Sequence, residues 1–523
     1  METRTIGSRK KSEYLDMTQQ LDLPDIQGNI IRAYGRFGFP KARFFFLRID
    51  DGDRGRAFVG TITKRVTTSV SWGPPPKGVV PKPKAPINIA FTYNGLKALG
   101  LARASLAGFP QEFVMGMKER KAILGDDGPS DPEHWDKIWA KDVHVAISIN
   151  AQTPENGQPL EYVEESYQWV MSQIDVSDGG VVLLTGHRGD DGQEDLPFQD
   201  ASALYENGEP CAKEHFGYTD GIGDPVFEGQ ITEEYRVAGR GKLTREGGWA
   251  RLETGEFLLG HPDEAREYPP APAPILLARN GTFMVYRKLH QNVASFERLL
   301  DAHAESFPGG RELLAAKLSG RWRDNGAPVI NTPDAASKAA WDQRFAAADE
   351  RTQDMMLADF RFDLMGYNCP IGAHIRRINP RGSLEFGQDG AFDTPGALDD
   401  RRRILRRGLP YGVVRDRSRD DGNHGVIFMA LNTSIERQFE FLQQQWINYA
   451  NDSKEGSDKD VLLGNHNADC PSKMVIHADP KSGQPPYFVN KIPRLVETRG
   501  GDYFFIPSRT ALRMIAKGSV DPT

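Results

Sequence analysis

Three short segments carry side chains that could do chemistry together. The first, Cys369-Pro370-Ile371-Gly372-Ala373-His374-Ile375-Arg376-Arg377, sets one histidine among small and apolar neighbours and follows it with arginines. A neutral imidazole in such surroundings can ligate haem iron, and a guanidinium beside it can pair with a carboxylate. A hydrogen-bonded core histidine is the ordinary alternative. The second, Phe216-Gly217-Tyr218-Thr219-Asp220-Gly221-Ile222-Gly223, places one acid among three glycines. Backbone of that kind turns tightly and lets a large group approach, although an aspartate capping its own turn is equally usual. The third, Arg403-Ile404-Leu405-Arg406-Arg407, offers a fixed cation. A solvated face or a phosphate contact is the common fate of such clusters.

These residues need a scaffold. Ala42–Ile49, Ile87–Thr92, Asp142–Ile149 and Val181–Thr185 read as strands in the first half of the chain. Phe283–Tyr286, Val426–Leu431 and Asp502–Ile506 read as strands in the second. Helices are expected over Leu96–Leu101, Tyr162–Met171 and Ser434–Ile447, where Ile435, Phe439, Leu442 and Trp446 recur at helical spacing. A further helix starts at Thr510, and an alanine-rich one spans Asp334–Glu350 as a surface element. Pro-rich loops follow Gly73 and run over Tyr268–Pro274, and glycines cluster between Phe227 and Gly255. Strands separated by helices in two halves suggest an α+β protein with antiparallel sheets.

Taken together, the three segments resemble the dye-decolourising peroxidase family. Gly217-Tyr218-Thr219-Asp220-Gly221 has the form Gly-x-x-Asp-Gly, and aspartate, histidine and arginine follow one another in the family's order. Gly255–Gly260, Gly281–Leu289, Gly320-Arg321-Trp322, His424–Phe428 and Gly500–Ser508 agree, so the resemblance runs from about Leu23 to about Ala516. His261, where relatives often carry an aromatic residue, departs from it. The resemblance implies two ferredoxin-like domains of antiparallel sheet flanked by helices. Residues 1–22 would be a tail, 23–235 the first domain, and 236–523 the second, holding most of the haem.

The resemblance also implies one non-covalent haem b per chain. His374 would be the axial iron ligand, its other ring nitrogen bonded to an acceptor the sequence does not reveal. Asp220 would be the general acid/base toward hydrogen peroxide and Arg406 the distal cation, with Arg403 and Arg407 as positional rivals. Arg376 or Arg377 would meet a propionate, and Phe428 would line the distal pocket. The activity implied is reduction of hydrogen peroxide, with phenolic compounds and anthraquinone-type dyes oxidised through a ferryl intermediate. An aspartate near its ordinary pKa would favour mild acid. A haem carrier or sensor without turnover is the alternative, which needs neither Asp220 nor Arg406.

The whole chain fits an enzyme of this size. Its 523 residues, 39% hydrophobic and 26% charged, suit a large buried core. A net charge of −7 gives no reason to expect nucleic acid or an anionic membrane, and no apolar run is long enough to span a bilayer. Cys211, Cys369 and Cys470 make neither a disulfide framework nor a Cys-x-x-Cys-His haem attachment. With a polar Met1–Gln20, the reading is of a cytoplasmic protein. Bulky aromatic donors would react alongside small ones, and a homo-oligomer stays open.

Overall fold

Apolar stretches bounded by loops settle into strands buried on both faces. Lys41–Ile49 (β1), Ile87–Phe91 (β2), Val145–Ala151 (β3), Val181–Leu183 (β4) and Gln199–Ser202 (β5) come from the first half of the chain. Thr282–Gln291 (β6), Leu405–Arg406 (β7), Leu409–Tyr411 (β8), Gly425–Asn432 (β9) and Val496–Ile506 (β10) come from the second. In the computed structural model, which describes residues 21–518 apart from 74–79, 154–160, 191, 386–395 and 470, these ten strands make one antiparallel sheet. Its order is β7-β9-β6-β10-β2-β3-β1-β4, with β8 on β9 and β5 on β1. The two halves meet through a single pair, Phe505 opposite Phe91. Cys470, the tail and part of the first Pro-rich loop lie outside the described residues.

Helices cover the faces. Gly52–Thr63 (α1), capped by the Asp51 side chain on Arg54 N–H (2.9 Å), and Glu161–Val176 (α2) belong to the first half. Val293–Ala304 (α3), Gly310–Ser319 (α4), His374–Ile378 (α5) and Arg509–Lys517 (α6) belong to the second. The alanine-rich helix forms over Ala335–Ala347 behind an Asp334 capping box, and it also buries Trp341.

Most expected elements appear, with shifted ends. The segment after Ser434 is the exception. It winds as π-helix over Glu436–Glu440 and Leu442–Ile447, with Glu440 N–H donating to the Ile435 carbonyl (2.9 Å). Apolar spacing of four, three and four residues cannot distinguish that winding from an α-helix.

Two cores result. One joins both halves of the sheet through Phe46, Tyr286, Phe504 and their neighbours. The other packs α3 and α4 against Phe216, Tyr218 and Cys369. The cavity of interest is lined from both clusters, including Phe216, Tyr218, Phe428 and Phe439.

Candidate functional site

His374 is the first residue of α5, a five-residue helix entered from the Cys369–Ala373 turn. Its Nδ1 lies 3.0 and 3.1 Å from the two carboxylate oxygens of Asp460. A carboxylate can only accept there, which puts the proton on Nδ1 and leaves the Nε2 lone pair for the cavity that His374 lines. Asp460 is fixed in turn by N–H groups of Leu462 (3.0 Å) and Leu463 (2.8 Å). Burial pushes its carboxyl up, but His374, Arg377 and the Leu463 N–H outweigh it and hold the group below the usual carboxylate range.

Asp220 sits in a loop folded around a second acid. Half-buried Glu214 accepts N–H from Phe216 (2.9 Å) and Tyr218 (2.8 Å), while Asp220 N–H donates to the Ala212 carbonyl (2.7 Å). Gly217 and Gly221 take φ of +95° and +78°, a region that side-chain-bearing residues avoid. The Asp220 carboxylate then meets the Arg406 guanidinium directly and takes Gly221 N–H at 2.6 Å. Burial favours the neutral acid, but Arg406, Gly221 N–H and Arg36 prevail, so Asp220 lies below the usual carboxylate range. Arg36 comes from the first half of the chain and donates to the Gly221 carbonyl.

Strand register explains why Arg406 and not its neighbours reaches Asp220. Arg406 pairs with Ala430 and Arg287 with Phe428. Alternation along β9 puts Ala430 and Phe428 on one face, so Arg406, Phe428 and Arg287 share the wall of the cavity. Arg407 turns the other way, to Asp224 (2.9 Å) and the carbonyls of Asn29 and Ile30 (2.6 Å each). Arg403 lines the cavity but donates to the carbonyls of Gly241 (3.2 Å) and Arg240 (3.1 Å).

The structure thus gathers His374, Asp220, Arg406 and Phe428 around one cavity. It does not bring Arg376 there. That guanidinium turns to the Cys369 carbonyl (2.9 Å) and stacks on Phe362. Arg377 is likewise taken by the Trp446 carbonyl (2.8 Å) and the Tyr449 carbonyl (2.9 Å). Two residues next to one another in sequence with a ligand point elsewhere because a helix advances them 200° and 300° around its axis. His261, the departure, is buried with Nε2 at 2.9 Å from the Asn280 side-chain oxygen.

Sequence reasoning missed Asp460, 86 residues beyond His374 in a loop without pattern. It also assigned no part to Arg321, quoted within Gly-Arg-Trp, or to Arg381, four residues past the histidine segment. Both are buried and line the cavity.

The donor set suits haem. His374 is the one histidine lining the cavity, and no group of three or more His, Cys, Asp or Glu among the described residues could hold a metal ion. A single imidazole serves an iron whose other ligands come from a porphyrin. Buried Arg321, with an Nη2 that has no acceptor among the described residues, answers to an anionic edge.

Comparison with known proteins gives one family throughout. Residues 25–181 match the family model described as the DyP dimeric alpha+beta barrel domain. The chain is 33% identical to the Multifunctional dye peroxidase DyP2 of Amycolatopsis sp., covering 94% of this chain and 96% of that one. It is 27% identical to the dye-decolorizing peroxidase msp1 of Mycetinis scorodonius, covering 95% and 88%. An ancestral D-type dye decolorizing peroxidase superposes with a TM-score of 0.71 at 26% identity, over 94% of this chain and 99% of that one.

Proposed function

The chain belongs to the dye-decolorizing peroxidase family, and from that membership we propose that it is a haem-b peroxidase in which His374 holds the iron while Asp220 and Arg406 act on hydrogen peroxide. It is an oxidoreductase, and dye-decolorizing homologues support peroxidase activity on dyes. The observation that carries the finer reading is the direct Asp220–Arg406 contact on the wall shared with His374 and Phe428. Haem carriage alone requires no such pair.

Bound haem would supply the iron at which peroxide is reduced and the oxidising equivalents that phenolic compounds and anthraquinone-type dyes discharge. The protein's part is to place protons and charge. Asp220, held ionised, takes a proton from one peroxide oxygen and returns it to the other, which leaves as water. Arg406, charged at any working pH, offsets the negative charge that develops on the departing oxygen. Phe428 adds an apolar face beside that pair. The Asp460 carboxylate keeps the His374 imidazole in one tautomer and raises its basicity.

The single cavity-lining histidine supports one non-covalent haem per chain. Two domains divided near residue 235 belong to the same proposal, their sheets paired at Phe505 opposite Phe91 and sharing one core. No helix among the described residues is long and apolar enough to cross a membrane, and free Cys211 and Cys369 support a cytoplasmic site of action.

The test is to load the full chain with haem, mix it rapidly with one equivalent of hydrogen peroxide, and then add a phenol or an anthraquinone dye. A fast change in the visible spectrum, reversed as the donor is oxidised, is the expected result. A histidine-ligated ferric spectrum that ignores peroxide would overturn the peroxidase reading in favour of carriage or sensing.

A further inference from the structure

Asp220 and Arg406 meet from distant segments, and the residue that follows each of them is tied to one short stretch of the first half. The Gly221 carbonyl accepts from Arg36 Nη1. Arg407 donates from Nε to the Asn29 carbonyl and from Nη2 to the Ile30 carbonyl, at 2.6 Å each. Asp224 closes the frame, taking Arg406 N–H (3.2 Å) on Oδ1 and the Arg407 guanidinium (2.9 Å) on Oδ2. Residues 29–36 thus reach both members of the Asp220–Arg406 pair, each through its neighbour in the chain.

That stretch is held stiffly. Asn29 and Ile30 are buried in the turn Gly28–Ile31, and Tyr34 opens a second turn, Tyr34–Phe37. The buried Tyr34 hydroxyl donates to the side-chain oxygen of Asn88 in β2 (3.1 Å). Its ring packs on Phe39 and Trp72, with centres 5.3 and 6.2 Å away. Arg36 therefore projects from a turn fixed to the sheet of the first half. Gly221 gives it room: φ is +78°, and a Cβ there would stand 3.2 Å from Arg36 Cδ.

A guanidinium on a carbonyl makes a charge-assisted bond, roughly twice as strong as a neutral one. Burial and Arg240 work against the Arg36 charge and Asp224 favours it, with smaller effects from Arg236 and Asp354. Both acids are already engaged, Asp224 with Arg407 (2.9 Å) and Asp354 with Arg240 (2.6 Å). What Arg36 grips is the Gly221 carbonyl.

We propose that Arg36 is a positioning residue for the peroxide reaction: gripping Gly221 from the stretch that also seats Arg407, it sets the Asp220 carboxylate against Arg406. The inference rests on the reading of Asp220 as proton carrier. A carboxylate that lets go of Arg406 to take up a proton comes back to the same place when the backbone beside it is clamped. Charge acts in the same direction. Burial and Glu214, in the same loop, oppose ionisation of Asp220, while Arg406 and, more weakly, Arg36 favour it.

The test compares haem-loaded full-length wild-type protein with Arg36→Met and Arg36→Lys by rapid mixing with hydrogen peroxide across pH. Arg36→Met should slow the reaction about 10-fold, short of the ~10²-fold that a misplacement of about 1 Å can cost. Its acid limb should move to higher pH, by less than in Arg406→Leu, while haem retention against a scavenger is kept. In the apoprotein, the Asp220 carboxyl, followed by infrared difference against Asp220→Asn, should titrate at higher pH in Arg36→Met than in wild type. Arg36→Lys, which keeps a charged donor, should recover the wild-type limb and most of the rate. In an Asp220→Asn background, Arg36→Met should change the rate by less than about 2-fold, because it acts through that carboxylate. If Arg36→Met does not fold, Arg36→Gln takes its place in both backgrounds. A wild-type rate and an unmoved Asp220 titration in Arg36→Met would overturn the positioning role, and so would an equal loss in both backgrounds. Haem retention falling in step with the rate would make Arg36 merely structural and overturn it too. Wild-type protein that ignores peroxide would remove the peroxidase reading itself, and the role of Arg36 with it.

Discussion

Two aspartates serve this cavity, and they are held very differently. Asp460 is fully buried, its Oδ1 taking two backbone N–H groups and both its oxygens facing the His374 imidazole. Asp220 keeps 51% of its side chain exposed and is held by one backbone N–H and one guanidinium. A buried carboxylate pinned by fixed backbone donors orients its partner and does little else. One that shares its bonds with a side chain, beside open space, can let go and take up a proton. The same residue type thus becomes a brace in one place and a proton carrier in another, and the number of fixed donors decides which.

Substitutions separate the two roles. The largest effect is expected from Asp220→Asn, which should slow the reaction with peroxide by about 10²–10⁴-fold in single-turnover mixing while haem affinity is kept. Arg406→Leu comes next, with a loss of about 10²–10³-fold in the same measurement. Asp460→Asn should act on the other quantity, weakening haem retention by about 10–100-fold in a transfer assay to a haem scavenger. Arg376→Ala is expected to leave haem affinity nearly unchanged. It should cost about 1–3 kcal/mol in denaturant unfolding, because the buried Cys369 carbonyl loses its donor. An Asp460 variant that retained haem but lost its peroxide rate would erase the distinction drawn between the two aspartates.

The chemistry of the site was more legible than its support. Asp220, His374, Arg406 and Phe428 stand in short segments whose types and order already point to one site, and strand alternation around Arg406 and Phe428 brings two of them to one wall. Asp460 could not be found, because the contact closes over 86 residues and nothing local marks it. Arg376 misled for the opposite reason: closeness in sequence is not closeness in direction on a helix. Arg321 and Arg381 were in plain view but looked like any other arginine until the fold buried them in the cavity wall. Among the elements, strands with unbroken apolar runs, such as β1 and β6, were readable. The π-winding after Ser434 was not, since Glu440 is placed by Arg120 (2.9 Å) and Tyr503 (2.8 Å), partners remote in sequence.

The most direct test of Asp220 as the proton carrier is the pH dependence of the peroxide reaction, measured by rapid mixing in wild-type protein and in Arg406→Leu. Asp220 works as a base only when ionised, so the rate should fall as pH drops through its pKa. Arg406 helps hold that pKa below the usual carboxylate range, so wild-type protein should stay active well into acid. Removing the guanidinium should move the acid limb to higher pH as well as lower the plateau. An acid limb at the same pH in both proteins would contradict the account.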